Sequence, residues 1–305
     1  MVPPDLSAIA VPDEWLELAE RLPNRGRMLV LGPTDSGKTT FCWWLAEELS
    51  AQGKVVVVDA DVGQSRVGPP ACVGWVAYGS TQGEFEFVGD VSPAKRPAVV
   101  LAATVRMALR AQRLAKPDWL LVDTTGWVDG PGATQLKTAK AQLLSPVTLV
   151  ALAPRGRLDH LRWPWRGRNQ VRWLRLDTPA ECSDKSVEER RSWRQRLFAQ
   201  ELSGAESREF ALDHLALHYV PPAGVLRRWQ ATGRTRGLLC GLDDEHGVGL
   251  GLGLIEEIDV DRTYARVLTR VDPSLVRGLR FGGLCCNPDG TPLEQEEPEE
   301  WQENS

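Results

Sequence analysis

Four short stretches of the chain combine residue types and spacings that suit chemistry on phosphate groups. The first, Gly32-Pro33-Thr34-Asp35-Ser36-Gly37-Lys38-Thr39-Thr40, fits the phosphate-loop pattern G-x-x-x-x-G-K-[ST]. Glycines let such a loop wrap an anion. Its N–H groups gather at the N-terminus of the following helix, where the helix dipole favours negative charge. Lys38 then suits the β- and γ-phosphates, and the Thr39 hydroxyl suits Mg²⁺. The motif implies a bound nucleoside triphosphate. It does not choose among kinases, ATPases, GTPases and transport motors.

The second stretch is Asp59-Ala60-Asp61-Val62-Gly63-Gln64. Carboxylates two residues apart lie on one side of a strand, if the strand continues that far. One of them suits Mg²⁺ through water, and the other suits the proton of an attacking hydroxyl. The competing reading is a solvated turn. The third stretch is Asp123-Thr124-Thr125-Gly126-Trp127, at a strand end where phosphate-loop proteins carry a metal-supporting acid or a phosphate sensor. Trp127 suits stacking on a base or sugar, against the alternative of a core tryptophan. The fourth is the charged segment around Arg190 and Arg194. At i, i+4 they share a helix face, and two guanidinium groups there can clamp a transferring phosphoryl group. Alone, the pair reads more simply as a solvated face.

These residues need a scaffold. Residues 28–31 are an apolar run before Gly32, residues 55–58 are four consecutive valines before Asp59, and 119–122 and 147–152 are similar runs. Each reads as a strand buried on both faces. Between them, residues 38–50, 101–114 and 136–144 read as helices. This alternation predicts an α/β fold: a phosphate-loop domain with a mainly parallel central sheet flanked by helices. A polar lead with one amphipathic helix around Trp15 comes first. An Arg- and Trp-rich stretch from about 155 ends in a charged helix over 187–202. From about 217, short β-like segments such as 237–242 and 264–268, separated by Gly, Asp-Asp and Asp-Pro, predict a small β-rich C-terminal domain. The expected division is a lead over 1–26, a nucleotide-binding domain over 27–205 with a lid from about 177, a β-rich domain over 206–290, and a disordered acidic tail over 291–305.

The chain has 305 residues, a net charge of −5, 42% apolar and 25% charged residues. That balance excludes wholesale disorder and a protein that coats nucleic acid by bulk charge. The charge is unevenly placed, however. Residues 291–305 hold six Glu and no Lys or Arg, so removing them leaves residues 1–290 at +1. Residues 155–196 hold eleven Arg and one Lys against six acids, with Trp163, Trp165, Trp173 and Trp193 interleaved. Six cysteines without a C-x-x-C pair, and four scattered histidines, speak against a zinc site. The N-terminus lacks the pattern of a signal peptide, and no apolar run nears the ~18 residues of a membrane span. The expectation is a protein of the reducing cytoplasm, with no membrane partner.

Together and in this order, the four stretches resemble one family: the polynucleotide 5′-hydroxyl kinases related to the messenger-RNA cleavage-factor kinase and the ribosomal-RNA-processing kinase. Similar elements are Gly-Pro-Thr-Asp-x-Gly-Lys from Gly32, Asp-x-Gly-Gln from Asp61, Thr-x-Gly-Trp from Thr124, and Arg-x-x-x-Arg from Arg190. Gly89-Asp90-Val91-Ser92-Pro93 is similar to a further segment of that family, and the Gly-rich segments over 237–253 look like its C-terminal β domain. The resemblance spans about residues 27–285.

What the resemblance implies is transfer of the γ-phosphate of ATP to the 5′-hydroxyl end of RNA or DNA, with Mg²⁺; GTP or another nucleoside triphosphate is the alternative donor. Gly32, Pro33, Thr34, Asp35, Ser36, Gly37, Lys38, Thr39 and Thr40 would bind the nucleotide, and Thr39 with Asp59 the metal. Asp61 would activate the hydroxyl, with Gln64 in support. Thr124, Gly126 and Trp127 would grip the polynucleotide end. Arg190 and Arg194 would close over the transferring phosphate, with Lys38, as catalytic cations. Larger members carry a folded N-terminal domain that helps hold the base. Here about 26 residues precede the phosphate-loop strand, which leaves donor base preference open. The alternatives are a non-catalytic, ATP-bound interaction subunit of nucleic-acid processing, another ATPase or GTPase, and a small-molecule kinase. Asp61 together with two lid arginines exceeds what a passive ATP holder needs. No Asn-Lys-x-Asp guanine motif and no Cys/His cluster supports a GTPase or a metal carrier.

Overall fold

The computed structural model describes residues 4–293, apart from 5, 7–9, 147, 169–170, 180–185, 220, 222–225, 228–231, 234 and 260. Most of the acidic tail and part of the expected lid, 180–185, lie outside the described residues. Contacts divide the chain into Met1–Arg191 and Ser192–Ser305, and each unit is described by itself.

The first unit contains α1 (Asp13–Glu20), β1 (Gly26–Leu31), α2 (Lys38–Ser50), β2 (Val55–Ala60), β3 (Cys72–Ala77), β4 (Gly83–Phe87), α3 (Pro97–Ala115), β5 (Trp119–Thr124), α4 (Gly130–Leu144), β6 (Thr148–Leu152), α5 (Asp159–Arg162) and β7 (Arg172–Leu176). The seven strands form one sheet in the order β4-β3-β2-β5-β1-β6-β7. The pairs from β2 through β7 are parallel, and β3 and β4 join antiparallel at one edge. The apolar runs behave as doubly buried strands should. Leu29, Leu31, Val56, Val58, Leu120 and Val122 pack with α3 and α4 on one face. Met28, Val30, Val55, Val57 and Leu121 pack with α1 and α2 on the other. Successive side chains point to opposite faces, so a run with helices on both sides must be apolar throughout.

Two features exceed the sequence expectations. The N-terminal helix is part of the core: Trp15 is fully buried, its ring centroid 4.9 Å from Phe41 and 5.3 Å from Trp44. The β3–β4 hairpin is tied to α3 by Arg106 to Glu86 (2.5 Å) and by Arg110, which grips both oxygens of Glu84 at 2.8 Å.

The charged helix α6 (Val187–Leu202) spans the division of the chain. A reciprocal cap starts it: Glu189 N–H donates to Ser186 Oγ (3.1 Å), and Ser186 N–H donates to Glu189 Oε2 (2.6 Å). Each bond satisfies an N–H that the first turn leaves open. The second unit then forms β8 (Glu206–Ala211), β9 (Ala216–His218), β10 (Leu238–Asp243), β11 (Gly249–Asp259), β12 (Tyr264–Thr269) and β13 (Gly278–Cys285). They make one sheet in the order β8-β12-β11-β10-β13-β9, antiparallel except where β9 joins β13. Its core holds Phe210, Leu238, Ile255, Val267, Leu279 and Phe281. Beside that core, Arg280 makes a buried ion pair with Asp243.

Candidate functional site

The parallel strands β2, β5 and β1 end side by side, with Asp59 in register with Asp123 and Asp123 with Val30. Ligands of open α/β sheets sit in the crevice beyond such carboxyl ends. From β1 the chain turns through residues 32–37 into α2. Two glycines there are demanded by the backbone. A Cβ on Gly32 would lie 2.6 Å from the Leu152 carbonyl oxygen, and Gly37 has φ +83°. Asp35 also takes a left-handed conformation, φ +58°, which aspartate tolerates better than most residues. Ser36 is buried with its hydroxyl lacking a hydrogen-bond partner among the described residues. Lys38, also buried, donates to the Pro33 carbonyl at 2.6 Å. Pro33 and Thr40 are half-buried and Thr34 is exposed.

Thr39 Oγ1 donates to Asp123 Oδ2 at 2.6 Å, while Asp123 Oδ1 is buried without a partner among the described residues. Burial pushes the Asp123 carboxyl above its ordinary range, and the nearby Lys38 charge opposes the shift. Burial likewise raises Asp59, reinforced by the negative charge of Asp123. Among the described residues no cluster of three His, Cys, Asp or Glu side chains could hold a metal by itself. The set that is present, the Thr39 hydroxyl with an orphaned carboxylate oxygen of Asp123, suits Mg²⁺. That ion is commonly held by one or two protein oxygens together with substrate phosphates.

The two carboxylates of the second stretch do different work. β2 ends at Ala60, and Asp59 points into the loop that follows. It accepts N–H bonds from Asp61 (3.0 Å), Arg66 (2.6 Å) and Val67 (3.1 Å). Asp61 sits half-buried in the turn, its Oδ1 accepting the Gly63 N–H at 3.1 Å; Gln64 is half-buried beside it. The Gly89–Pro93 segment borders this turn, since a Cβ on Gly63 would lie 3.1 Å from the Val91 carbonyl oxygen.

The third stretch leaves β5 beneath the phosphate loop. Thr124, expected among residues that grip a substrate, is fully buried, and its hydroxyl donates to the Val30 carbonyl at 2.7 Å. Gly126 lies against the phosphate loop: a Cβ there would sit 2.6 Å from Thr34 N. Trp127 is half-buried over Gly132, where a Cβ would come within 2.9 Å of its ring. The next turn is anchored by His160 Nε2 against the Val128 carbonyl (2.8 Å) and by a two-pronged Arg157–Asp129 ion pair.

Arg190 reaches this site. Its Nη1 donates to Asp35 Oδ2 at 2.7 Å, which brings a cation of the expected lid to the phosphate loop across 155 residues of sequence. Arg194 follows one turn later on α6, beyond the division of the chain. Asp123, read from the sequence as a strand-end acid, is the Thr39 partner. A residue not singled out from the sequence, Lys137 of α4, is fully buried against the loop that follows β5. Lys140, further along α4, is equally buried. Burial drives the Lys137 ammonium well below its ordinary pKa, and Lys140 down to about 7, against the pull of Asp61 and Asp123.

Comparison with known proteins places this geometry. Residues 32–200 match the family described as mRNA cleavage and polyadenylation factor CLP1 P-loop. The chain is 26% identical over 323 residues to a polyribonucleotide 5′-hydroxyl-kinase of Pyrococcus furiosus, covering 88% of this chain and 89% of that protein. It is 28% identical to a protein of the same name from Thermococcus kodakarensis, covering 93% and 95%. Among solved structures, the wild-type Clp1p–Pcf11p complex superposes with a TM-score of 0.64 at 12% identity, covering 90% of this chain and 77% of that one. This last likeness shows the fold alone. Among the described residues, no helix is long and apolar enough to cross a membrane.

Proposed function

The chain belongs to the mRNA cleavage and polyadenylation factor CLP1 P-loop family, and on that footing we propose that it is a polynucleotide 5′-hydroxyl kinase. It moves the γ-phosphate of ATP, or of another nucleoside triphosphate, to the 5′-hydroxyl end of RNA or DNA. The archaeal relatives' name, shared over nine-tenths of the chain in the Thermococcus case, supports RNA as the first acceptor to test. The observation that carries the reading is the Arg190–Asp35 ion pair, because a protein that only stores nucleotide has no need of a lid cation at the phosphate loop.

In this reading, the acceptor oxygen attacks the γ-phosphorus as the bond to the β-phosphate oxygen breaks, and the nucleoside diphosphate leaves. Asp61 takes the hydroxyl proton. Lys38 exchanges the Pro33 carbonyl for the donor phosphates. Arg190, with Arg194 from the next turn, offsets the charge spread over the transferring group. The N–H groups of residues 34–39 hold the remaining phosphate oxygens. Phosphoryl transfer asks little covalent chemistry of a protein, so positioning and charge carry the catalysis. Mg²⁺, held by Thr39 and Asp123, would supply neutralisation of phosphate charge. Asp59 acts at one remove, because its oxygens are occupied with the loop that carries Asp61. Trp127 and Gly126 face the acceptor end. The setting is a reducing cytoplasm.

The test is transfer of labelled γ-phosphate to 5′-hydroxyl oligonucleotides of both sugar types, with and without a duplex partner. Asp61→Ala abolishes transfer while leaving nucleotide binding intact. Full activity in that variant removes Asp61 as base, and no transfer to any oligonucleotide by the wild type removes the kinase reading.

A further inference from the structure

A single nitrogen of α4 hydrogen-bonds the Thr124–Trp127 loop at three oxygens. Lys137 Nζ lies 2.9 Å from Thr124 Oγ1 and 3.1 Å from Thr125 Oγ1, and donates to the Thr125 carbonyl. The Thr124 hydroxyl passes the connection on to the Val30 carbonyl of β1, the strand that runs into the phosphate loop. One side chain therefore ties together α4, the loop on the acceptor side and the strand on the donor side. The convergence of three oxygens explains the residue type. A lysine nitrogen offers three tetrahedral hydrogen-bonding directions on a slender stem, in either protonation state. Glutamine and arginine present planar groups that meet such a trio badly. The same helix provides the space for Trp127 at Gly132.

We propose that Lys137 is a positioning residue for the polynucleotide acceptor. By holding Thr124 and Thr125 from beneath, it fixes how Gly126 and Trp127 stand against the phosphate loop, and so where the 5′ end meets the γ-phosphate. This rests on the kinase reading above. Lys140 supplies the control within the fold. It lies three residues further along α4 and is equally buried, yet its nitrogen makes no hydrogen bond to any described residue. A general effect of a buried lysine would appear in both; an effect on the loop belongs to Lys137 alone.

The experiment compares Lys137→Met, Thr125→Val and Lys140→Met in the full chain, reading kcat, the KM for a 5′-hydroxyl oligonucleotide, the KM for ATP, and Tm. Lys137→Met raises the acceptor KM about tenfold or more and leaves the ATP KM within about twofold, the signature of lost acceptor placement. Thr125→Val removes one of the three partners without touching the lysine and raises the acceptor KM by about threefold. Lys140→Met leaves both KM values within about twofold. An unchanged acceptor KM in Lys137→Met, a parallel rise in both KM values, or the same acceptor effect in Lys140→Met overturns the proposal. If Lys137→Met fails to fold, Thr125→Val decides, and an unchanged acceptor KM overturns it. A wild type inert toward every oligonucleotide overturns the kinase reading, and the positioning role falls with it. An active wild type with unaltered variants overturns the positioning role alone.

Discussion

Asp35 should affect nucleotide binding and stability in opposite senses, and Asp35→Asn exposes both. Asn keeps the left-handed backbone nearly as well as Asp does, so the φ of +58° is not strained further, and the substitution removes chiefly a charge. The Arg190–Asp35 contact spans 2.7 Å, with the guanidinium 24% and the carboxylate 7% exposed. A hydrogen bond between charged groups contributes about 1.5–3 kcal/mol. Discounting for the solvated quarter of the arginine leaves about 1–2 kcal/mol. For a unit of this size that corresponds to a fall in Tm of about 2–8 °C at low salt, narrowing as salt screens the pair in the wild type. Nucleotide binding moves the other way. A carboxylate about 4 Å from a bound phosphate repels it by about 1–4 kcal/mol per unit charge. With magnesium and Lys38 competing, the low end applies, and the ATP KM falls about fivefold in Asp35→Asn. Arg190→Ala removes the cation instead, raising the ATP KM and lowering kcat by about tenfold or more. Calorimetry and steady-state kinetics on the two variants are sufficient. A rise in ATP KM in Asp35→Asn, or a melting curve identical to wild type at low salt, refutes the reasoning.

Three other outcomes follow from the same structure. Burial raises the carboxyls of Asp59 and Asp123, so between about pH 4 and neutrality these two groups hold more proton in the folded state than in the unfolded chain, and their contribution to stability falls as pH rises. Lys140, lowered to about 7, contributes the opposite slope above neutrality, where the unfolded chain holds the extra proton. Lys140→Met therefore flattens the rise in Tm with pH above neutrality in the nucleotide-free protein, and a rise as steep as that of the wild type contradicts this. Gly126→Ala forces a methyl group to within 2.6 Å of Thr34 N, a backbone atom that cannot swing aside. It costs about 1–3 kcal/mol and depresses kcat together with both substrate affinities, as separate titrations of ATP and oligonucleotide will show. Arg280→Met leaves the Asp243 carboxylate buried without its cation and destabilises the second unit by about 3–5 kcal/mol in urea denaturation.

The parallel core was readable because double burial leaves a strand no polar positions, as the four valines of 55–58 show. The outer strands, β3 and β7 among them, were less readable. β3 carries Gly74 at its centre, where a Cβ would meet the Val67 carbonyl, and glycine inside a strand weakens the pattern that reveals one. β7 sets exposed Arg172 and Arg175 among covered apolar residues without a two-residue period, which merges into the Arg-rich stretch around it. Within the site, the turn from β1 into α2 and the place of Asp61 just past β2 were legible from local spacing. The Arg190–Asp35 contact was not, since a pair 155 residues apart leaves no trace in one sequence. The inward turn of Thr124 also depended on tertiary packing.

The α4 lysines lie between these cases, and they sharpen how charges on a helix should be read. Lys137 and Lys140 look like ordinary solvated charges, the state in which lysine is nearly always found. Their spacing says otherwise. Ala133, Leu136, Lys137, Lys140, Ala141 and Leu144 are the buried positions of this helix, and from Ala133 they fall at i, i+3, i+4, i+7, i+8 and i+11, the core stripe of an amphipathic helix. The two lysines thus occupy core positions of that stripe, where desolvation opposes them unless something polar waits beneath. Directly upstream, a strand ends in Asp123, Thr124 and Thr125, and its two threonines supply that polar partner to Lys137. A lysine embedded in an apolar stripe is therefore read by what lies beneath it: Lys137 meets the strand end, while Lys140, three residues on, meets no hydrogen-bonding group among the described residues.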